Sequence, residues 1–227
     1  MTRSISKYQA ATALAILFHV VGITGMLFFD KDFFIGTTII HLLLMFALLL
    51  WTSDKNLAFV IFLLVTFIGG IAVEIIGVNT GVLFGDYQYG NVLGPRVMKV
   101  PWMIGINWFI IVYCCGISVN MLLTKITEKL GETGSQPAPA LKALSIIVDG
   151  ATLAVFFDWL LEPVAVNLNY WKWNGNIPFY NYLCWFIVSM LLLAVFHFCK
   201  FEKKNKFAVN LLLIQMMFFL ILRTFMN

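Results

Sequence analysis

The chain has 227 residues, of which 61% are hydrophobic and 11% are charged, whereas a soluble domain is about half apolar and about a quarter charged. This composition excludes a soluble globular domain. The aromatic content of 16% excludes a disordered chain, and four cysteines are too few for a disulfide scaffold. The net charge of +4 does not indicate a nucleic-acid partner, because the cations separate apolar stretches instead of clustering. The sequence therefore predicts an integral membrane protein.

Seven apolar stretches are long enough to cross a bilayer, which takes about 20 helical residues. They cover residues 10–29, 33–51, 58–77, 101–123, 143–166, 179–199 and 207–225. We predict an all-α bundle of about seven transmembrane helices that forms a single domain over residues 1–227. The first stretch lacks a convincing cleavage site and is interpreted as a span, not a signal peptide. Residues 124–142, rich in Gly and Pro, are expected to form an irregular linker.

Lysine and arginine are distributed unevenly between the two sides of this bundle. One side carries Arg3, Lys7, Lys55, Lys125, Lys129, Lys142, Lys200, Lys203, Lys204 and Lys206, and the other carries Lys31, Arg96, Lys99, Lys172 and Arg223. Because positively charged loops tend to stay in the cytoplasm, we expect a cytoplasmic N-terminus and an external C-terminus. The expected location is the inner (cytoplasmic) membrane of the cell, in contact with lipid.

Four acids lie within the predicted spans: Glu74 in the third, and Asp149, Asp158 and Glu162 in the fifth. Asp149 is nine residues before Asp158, about half a turn round the helix, and is interpreted as structural or water-facing; the other three are the candidate functional acids. Ionisable groups in hydrocarbon are costly and usually face the bundle interior or a functional cavity. Asp158 and Glu162 are four residues apart, so they share one helical face. Glu74 lies near the outer end of its span, and we expect the three acids to share one outer layer. The alternative is that they make only structural hydrogen bonds.

Two outer loops are rich in aromatic residues. Residues 77–95 contain five glycines together with Phe84, Tyr87 and Tyr89, a composition that predicts a folded flap between the third and fourth helices. Such a flap can cap the acid layer. The second loop contains Trp171 and Trp173, which either anchor the protein at the membrane interface or line a site.

Several familiar chemistries are excluded. The last span contains no lysine for a retinal Schiff base, and no second acidic cluster completes a magnesium site. His19, His41 and His197 lie in different helices without paired-ligand spacing, so no metal site is predicted. Each histidine is interpreted as a packed core residue, although His19 and His41 can meet across the first two helices. No nucleotide-binding loop is visible, and no cofactor is expected.

An acid layer inside a membrane can perform acid catalysis on an apolar substrate. Burial disfavours the charged form of a carboxyl group, and repulsion between neighbouring carboxyls leaves one as proton donor and another as base. Such a pair can protonate an alkene. Aromatic faces stabilise the resulting cation, and the candidates for this wall are Trp159, Trp171, Trp173, Tyr87 and Tyr89.

The motifs between Glu74 and Trp185 resemble those of the bacterial and archaeal carotenoid biosynthesis proteins that hydrate the ends of acyclic carotenoids. They read EIIGVNTG at 74–81, FGDYQY at 84–89, LGP at 93–95, VP at 100–101, NW at 107–108, DWLLEP at 158–163, WKW at 171–173 and IPFYNYLCW at 177–185. The resemblance covers nearly half of the chain. The flanking helices agree with the family only in their hydropathy.

The resemblance implies addition of water to the terminal double bond of an acyclic carotenoid, such as lycopene or a bisanhydrobacterioruberin-type precursor. The product is a tertiary alcohol, and no organic cofactor is needed. The family's functional positions fall on Glu74, Thr80, Tyr87, Asp158, Trp171, Trp173 and Asn181. The predicted substrate site also includes Phe84, Tyr89, Asn107 and Trp159. The predicted catalytic residues are Asp158, Glu74 and Glu162. We infer Asp158, ahead of Glu74, as the proton donor.

The sequence departs from the family pattern at three positions, where the family usually has Asp for Glu162, Gly for Asn169 and Gly for Cys184.

Two other interpretations of the function stay open. A carotenoid cyclase would form the same cation and quench it with an internal alkene. A transporter or lipid-binding protein would use the acids to carry protons. The expected partners are the carotenoid, water, lipid and other carotenoid enzymes.

Overall fold

The computed structural model describes residues 5–131 and 138–226 and has the predicted all-α membrane architecture. Its helices are α1 Lys7–Phe28, α2 Lys31–Gly36, α3 Thr38–Thr52, α4 Leu57–Thr80, α5 Met103–Gly131, α6 Pro139–Asn167, α7 Phe179–Phe198 and α8 Lys206–Phe225. Its strands are β1 Tyr87–Tyr89, β2 Arg96–Val97, β3 Val100–Pro101 and β4 Trp171–Trp173. In the described residues, six helices are long and apolar enough to cross a membrane, which is consistent with an all-α membrane protein.

The predicted second span, residues 33–51, is wrong as a single helix. The helix is interrupted at Thr37, between α2 and α3. Gly36 has a low helix propensity, and the hydroxyls of Thr37 and Thr38 donate to the carbonyls of Phe34 and Ile35 at 2.8 and 2.7 Å. Local bonds of this kind compete with helix continuation. The 15 residues of α3 extend over only about 22 Å.

Helix α3 nevertheless runs between the same two faces of the bundle as the longer helices. At one end the Thr38 hydroxyl lies 2.9 Å from the Tyr170 hydroxyl, beside the end of α6. At the other end the Asn205 amide, just before α8, donates to the Ser53 hydroxyl at 3.1 Å. We call the side that carries Tyr170 the flap face and the side that carries Asn205 the basic face. Among the described residues, α3 is therefore a shorter apolar helix beside the six that are long enough to cross a membrane.

Helix α5 forms the centre of the bundle. Every residue from Met103 to Ile117 except Asn107 is buried. Helix α4 approaches α5 closely at Gly70, where an added Cβ would lie 2.6 Å from the side chain of Trp108. This contact sets the position of Trp108 next to the end of α4 that carries Glu74.

Both predicted boundaries of the linker over residues 124–142 are wrong, because α5 continues to Gly131 and α6 begins at Pro139. A proline at the first helical position is a common start signal. The centre of that linker, residues 132–137, lies outside the described residues. So do residues 1–4, which include Arg3, and Asn227.

The segment between α4 and α5 is folded, as expected for a flap. It contains β1, a 3₁₀ turn over Asn91–Leu93, and the β2–β3 hairpin. At the hairpin turn Met98 and Lys99 both have positive φ. This is the conformation of the two-residue turns that connect the strands of tight β-hairpins. Strand β1 pairs antiparallel with β4 of the second outer loop. The two aromatic loops therefore form one structure on the flap face.

Candidate active site

The β1–β4 ribbon directs four aromatic side chains to one side. Tyr87 pairs with Trp173, and Tyr89 pairs with Trp171. Because successive strand residues point to opposite faces, these four side chains share a face, while Gln88 lies on the exposed face. The shared face covers the ends of α4 and α6, where the acids lie.

Glu74 accepts three hydrogen bonds from this aromatic layer. Its Oε2 accepts from the hydroxyls of Tyr87 and Tyr89, the latter at 2.7 Å. Its Oε1 accepts from the indole nitrogen of Trp108 at 3.0 Å. Both oxygens act as acceptors, which is the role of an ionised carboxylate. The three donors stabilise the ionised form of Glu74 in the site.

The two tyrosines stay neutral donors. Burial raises the pKa of Tyr89 well above its usual range, and the nearby Glu74 carboxylate raises it further. Burial and Glu74 raise the pKa of Tyr87 in the same way. A neutral phenol keeps its O–H for the carboxylate across the physiological pH range.

Glu162 is held by the other strand of the ribbon, β4. Its Oε2 accepts from the indole nitrogens of Trp171 and Trp173 at 3.0 and 2.9 Å. Its Oε1 accepts from Asn181 Nδ2 on α7 at 3.3 Å. Glu162 therefore also has three donors on its two oxygens, and the same amide nitrogen links it to the third acid.

Asp158 has a different environment. It is completely buried, and its Oδ2 accepts from Asn181 Nδ2 at 2.9 Å. Among the described residues, no group makes a hydrogen bond to its Oδ1. Protonation at Oδ1 therefore breaks no existing hydrogen bond and gives the carboxyl group a free O–H donor. Of the three acids, Asp158 has the geometry of a proton donor.

The three acids surround one small cavity of about 20 Å³, which we call the acid chamber. A site of that size holds about one water molecule. The residues that line it are Glu74, Phe84, Tyr87, Tyr89, Ile104, Asn107, Trp108, Asp158, Glu162, Trp171, Trp173, Asn181 and Trp185. The predicted acid layer is thus present as a single chamber under the flap.

A larger apolar cavity of about 280 Å³ adjoins the chamber. Ile104, Asn107 and Trp171 line both spaces. Phe18 on α1 and Ile40 on α3 line the larger cavity and are exposed on the bundle surface. The apolar cavity therefore extends from the outer surface between α1 and α3 to the acid chamber.

Two of the predicted substrate-binding residues are not brought to the chamber. Thr80 is exposed, and its hydroxyl donates to the Ile76 carbonyl within α4. Trp159 is 43% exposed on the outer surface of α6, because one residue of helix rotates a side chain by about 100° from the face of Asp158. All other predicted site residues line the chamber.

Trp159 instead takes part in a structural contact. Pro163 lies inside α6 and has no N–H for the Trp159 carbonyl four residues earlier. Arg223 on α8 donates to that carbonyl at 2.7 Å, and its guanidinium lies 3.9 Å from the centre of the Trp159 ring. Arg223 thus replaces the hydrogen bond that Pro163 removes.

Sequence reasoning did not assign Trp108, Trp185 or Ile104 to the site. The rings of Trp108 and Trp185 stack with centroids 4.0 Å apart and form one wall of the chamber. Trp108 follows Asn107 and Trp185 follows Cys184, both within the family motifs. This position in the motifs was the sequence signal that could have assigned them to the site. Ile104 had none, since an isoleucine in an apolar span is unremarkable. In the described part of the chain no group of three His, Cys, Asp or Glu side chains is arranged to hold a metal ion.

The sequence is similar to known proteins of carotenoid biosynthesis. The chain is 25% identical over 131 residues to the bisanhydrobacterioruberin hydratase of Haloarcula japonica, a match that covers 56% of this chain and 40% of the relative. It thus aligns with less than half of the relative's length. No solved structure matches the chain. The family described as carotenoid biosynthesis protein matches residues 33–227. The chain therefore belongs to the carotenoid biosynthesis protein family.

Proposed function

We propose that the protein is a carotenoid hydratase that adds water to the terminal double bond of an acyclic carotenoid. The observation that carries the proposal is the free Oδ1 of fully buried Asp158, in a chamber that adjoins an apolar cavity. A buried carboxyl with no partner on one oxygen can donate a proton to an apolar substrate. The distant relative named as a hydratase supports an enzymatic role in carotenoid biosynthesis.

The first step is protonation of the alkene. The O–H on Asp158 Oδ1 donates its proton to the less substituted carbon of the trisubstituted double bond, and the π electron pair forms the new C–H bond. The other carbon becomes a tertiary cation, and Asp158 becomes a carboxylate. The aromatic faces of Trp171, Trp173 and Tyr87, together with the negative charge of Glu74, stabilise this cation.

The second step is attack by water. A water oxygen bonds to the tertiary carbon and gives one proton to Glu162, so the product is a neutral tertiary alcohol. Asn181 Nδ2 lies 2.9 Å from Asp158 and 3.3 Å from Glu162. A bridging water can return the proton from Glu162 to Asp158 across this short gap, which restores the acid.

The substrate enters from the lipid. The apolar cavity is open between Phe18 and Ile40 and adjoins the chamber at Ile104 and Asn107. The chamber is large enough for a water molecule but not for a substrate end. Binding therefore requires the aromatic side chains at the Trp171 boundary to move outward as the end group enters.

The test is expression in a host that accumulates lycopene, followed by mass spectrometry of the pigments. We expect products heavier than lycopene by one water for each modified end. An isomeric product of unchanged mass would support cyclisation instead. Unchanged pigment in hosts that supply several different acyclic carotenoids would contradict both reactions.

A further inference from the structure

The apolar cavity contains a group of polar side chains that the proposed hydration does not use. His19, His41 and Gln215 all line it. The two histidine rings have centroids 4.4 Å apart, as expected for residues that can meet across these helices, and Phe218 packs against both. Gln215 lies one helical turn before Phe218 and shares its face. We call His19, His41 and Gln215 the polar cluster.

The polar cluster has unfilled hydrogen-bonding capacity. Gln215 is only 6% exposed, and among the described residues its Oε1 has no hydrogen-bond partner. The Nε2 of His41 is also buried, and nothing in the described chain pairs with it. Unpaired buried polar atoms destabilise a protein and usually have a water or ligand partner. Both atoms belong to side chains that line the apolar cavity, so a rotation of the side chain brings either atom into contact with a ligand bound there.

The atoms indicate which ligand group fits. His19 Nδ1 lies 2.7 Å from the Ala15 carbonyl, and a carbonyl only accepts, so Nδ1 carries the proton. In the neutral ring His19 Nε2 is then an acceptor, as is Gln215 Oε1. Two acceptors require a donor. An alcohol donates its O–H to one of them and accepts from the Gln215 amide, whereas a carbonyl leaves both acceptors unpaired.

We propose that the polar cluster binds a hydroxyl group carried by a carotenoid whose apolar chain fills the cavity. Ile104, Asn107 and Trp171 border both the cavity and the acid chamber, so one ligand can place its alkene in the chamber and a hydroxyl at the cluster. The carotenoid class of this ligand rests on the proposed function. The protein then prefers acyclic carotenoids that already carry an alcohol over the corresponding hydrocarbons.

The test measures binding rather than turnover. The full chain in lipid nanodiscs is titrated with an acyclic carotenoid hydrocarbon and with its monohydroxy derivative, and quenching of tryptophan fluorescence gives each Kd. We expect the alcohol to bind about 3- to 10-fold more tightly, the effect of one net hydrogen bond. In Gln215→Leu we expect the difference between the two Kd values to shrink, because the side chain keeps its volume but loses both hydrogen-bonding groups and leaves only the His19 acceptor.

The matched control is Gln88→Leu, which makes the same exchange on the exposed face of β1 and is expected to keep the wild-type preference. A second variant, His41→Phe, keeps the ring packing and is expected to reduce the preference. An equal ratio of Kd values in wild type and Gln215→Leu would overturn the proposal and leave the cluster as a water site. Failure of the alcohol to bind the folded protein would overturn it as well.

The binding result and the hydration test are independent. An alcohol preference without pigment conversion would contradict the hydratase assignment and retain the hydroxyl subsite. Pigment hydration without any alcohol preference would contradict only the subsite.

Discussion

The number of hydrogen-bond donors around each carboxyl group distinguishes the three acids. Glu74 and Glu162 each accept three hydrogen bonds, while Asp158 accepts one. A carboxyl group surrounded by donors is held as an acceptor, and one with a free oxygen can carry a donatable proton. This difference supports Asp158 as the acid and Glu162 as the base that receives the proton from water.

Asp158→Asn is therefore expected to lower turnover by about 10²- to 10⁴-fold, the contribution of a general acid. Asparagine has nearly the same shape and can still accept from Asn181, so the fold is retained. Pigment turnover per folded protein is the measurement. The matched control is Asp149→Asn on the same helix, at an exposed position, where wild-type turnover is expected. Full turnover in Asp158→Asn at a normal protein level would exclude it as the acid.

The buried tyrosines predict a stability change at alkaline pH. Burial and the charge of Glu74 raise the pKa values of Tyr87 and Tyr89, while in the unfolded chain tyrosine titrates at about pH 10. Below about pH 10 both states are protonated, and stability is unaffected. Above it the unfolded chain binds fewer protons than the folded one, so stability falls as pH rises.

In the double variant Tyr87→Phe/Tyr89→Phe, we expect the melting temperature to fall less between about pH 9 and 11 than in wild type. Intrinsic tryptophan fluorescence in nanodiscs measures the transition. Tyr8→Phe, at a partly exposed tyrosine at the start of α1, serves as the control and is expected to follow wild type. Equal alkaline losses in the double variant and wild type would contradict the proposed protonation of the pair.

One departure from the family pattern has a backbone explanation. Asn169 has a φ of +56°, a left-handed conformation that glycine adopts freely and asparagine tolerates better than other residues. The resembled family usually has Gly at this position. The exchange to Asn therefore preserves the turn that leads from α6 into β4.

At the scale of secondary structure, the site depends on two strands of three residues each. Strand alternation places Tyr87 and Tyr89 on the same face as Trp171 and Trp173, and this face supplies four of the donors to Glu74 and Glu162. The ribbon thus connects an acid on α4 to an acid on α6. Separation of the two strands would remove donors from both.

Gly90→Ala is expected to separate them. An added Cβ would lie 1.9 Å from the Asn169 carbonyl oxygen. The clash would displace the Gly90 N–H, which donates to the backbone carbonyl of Tyr170 at 2.8 Å. We expect turnover to fall by about 10²-fold, the effect of a displacement of about 1 Å at a reacting centre. Gly36→Ala, where a Cβ meets nothing within 4 Å, is the control. Wild-type turnover in Gly90→Ala would show that the β1–β4 pairing is dispensable.

At the scale of the whole molecule, the acid chamber lies on the flap face and the α7–α8 loop lies on the basic face. Asn56 donates to the Lys200 carbonyl at 2.9 Å on the basic face, and Asn167 donates to the Met226 carbonyl at 3.3 Å on the flap face. The Lys-rich side is expected to be cytoplasmic. The chamber and its water supply would then lie toward the external side.

Reporter fusions test this orientation. Green fluorescent protein inserted between Lys200 and Asn205 is expected to fluoresce in the cytoplasm. Alkaline phosphatase fused after Asn227 is expected to be active, because that enzyme matures outside the cytoplasm. A fluorescent protein that fluoresces when fused after Asn227 would overturn the orientation.

Hydropathy and the motifs by themselves determined the membrane class, most helix positions, the folded flap and the three acids. These features depend on local composition: apolar length, the four-residue spacing of Asp158 and Glu162, and the glycines and aromatics of residues 77–95. The interruption between α2 and α3 was not predicted. It depends on hydrogen bonds from the Thr37 and Thr38 hydroxyls to backbone carbonyls, and the run around them is otherwise apolar.

The tertiary structure decided how these residues function. Pairing between β1 and β4 joins positions more than 80 residues apart, and no local pattern specifies that contact. Helix rotation turns Trp159 outward, and the packing of α1, α3 and α8 creates a cavity that includes Gln215. Only this assembly distinguishes Asp158 from Glu74 and Glu162, because the number of donors at a carboxyl depends on which distant side chains reach it.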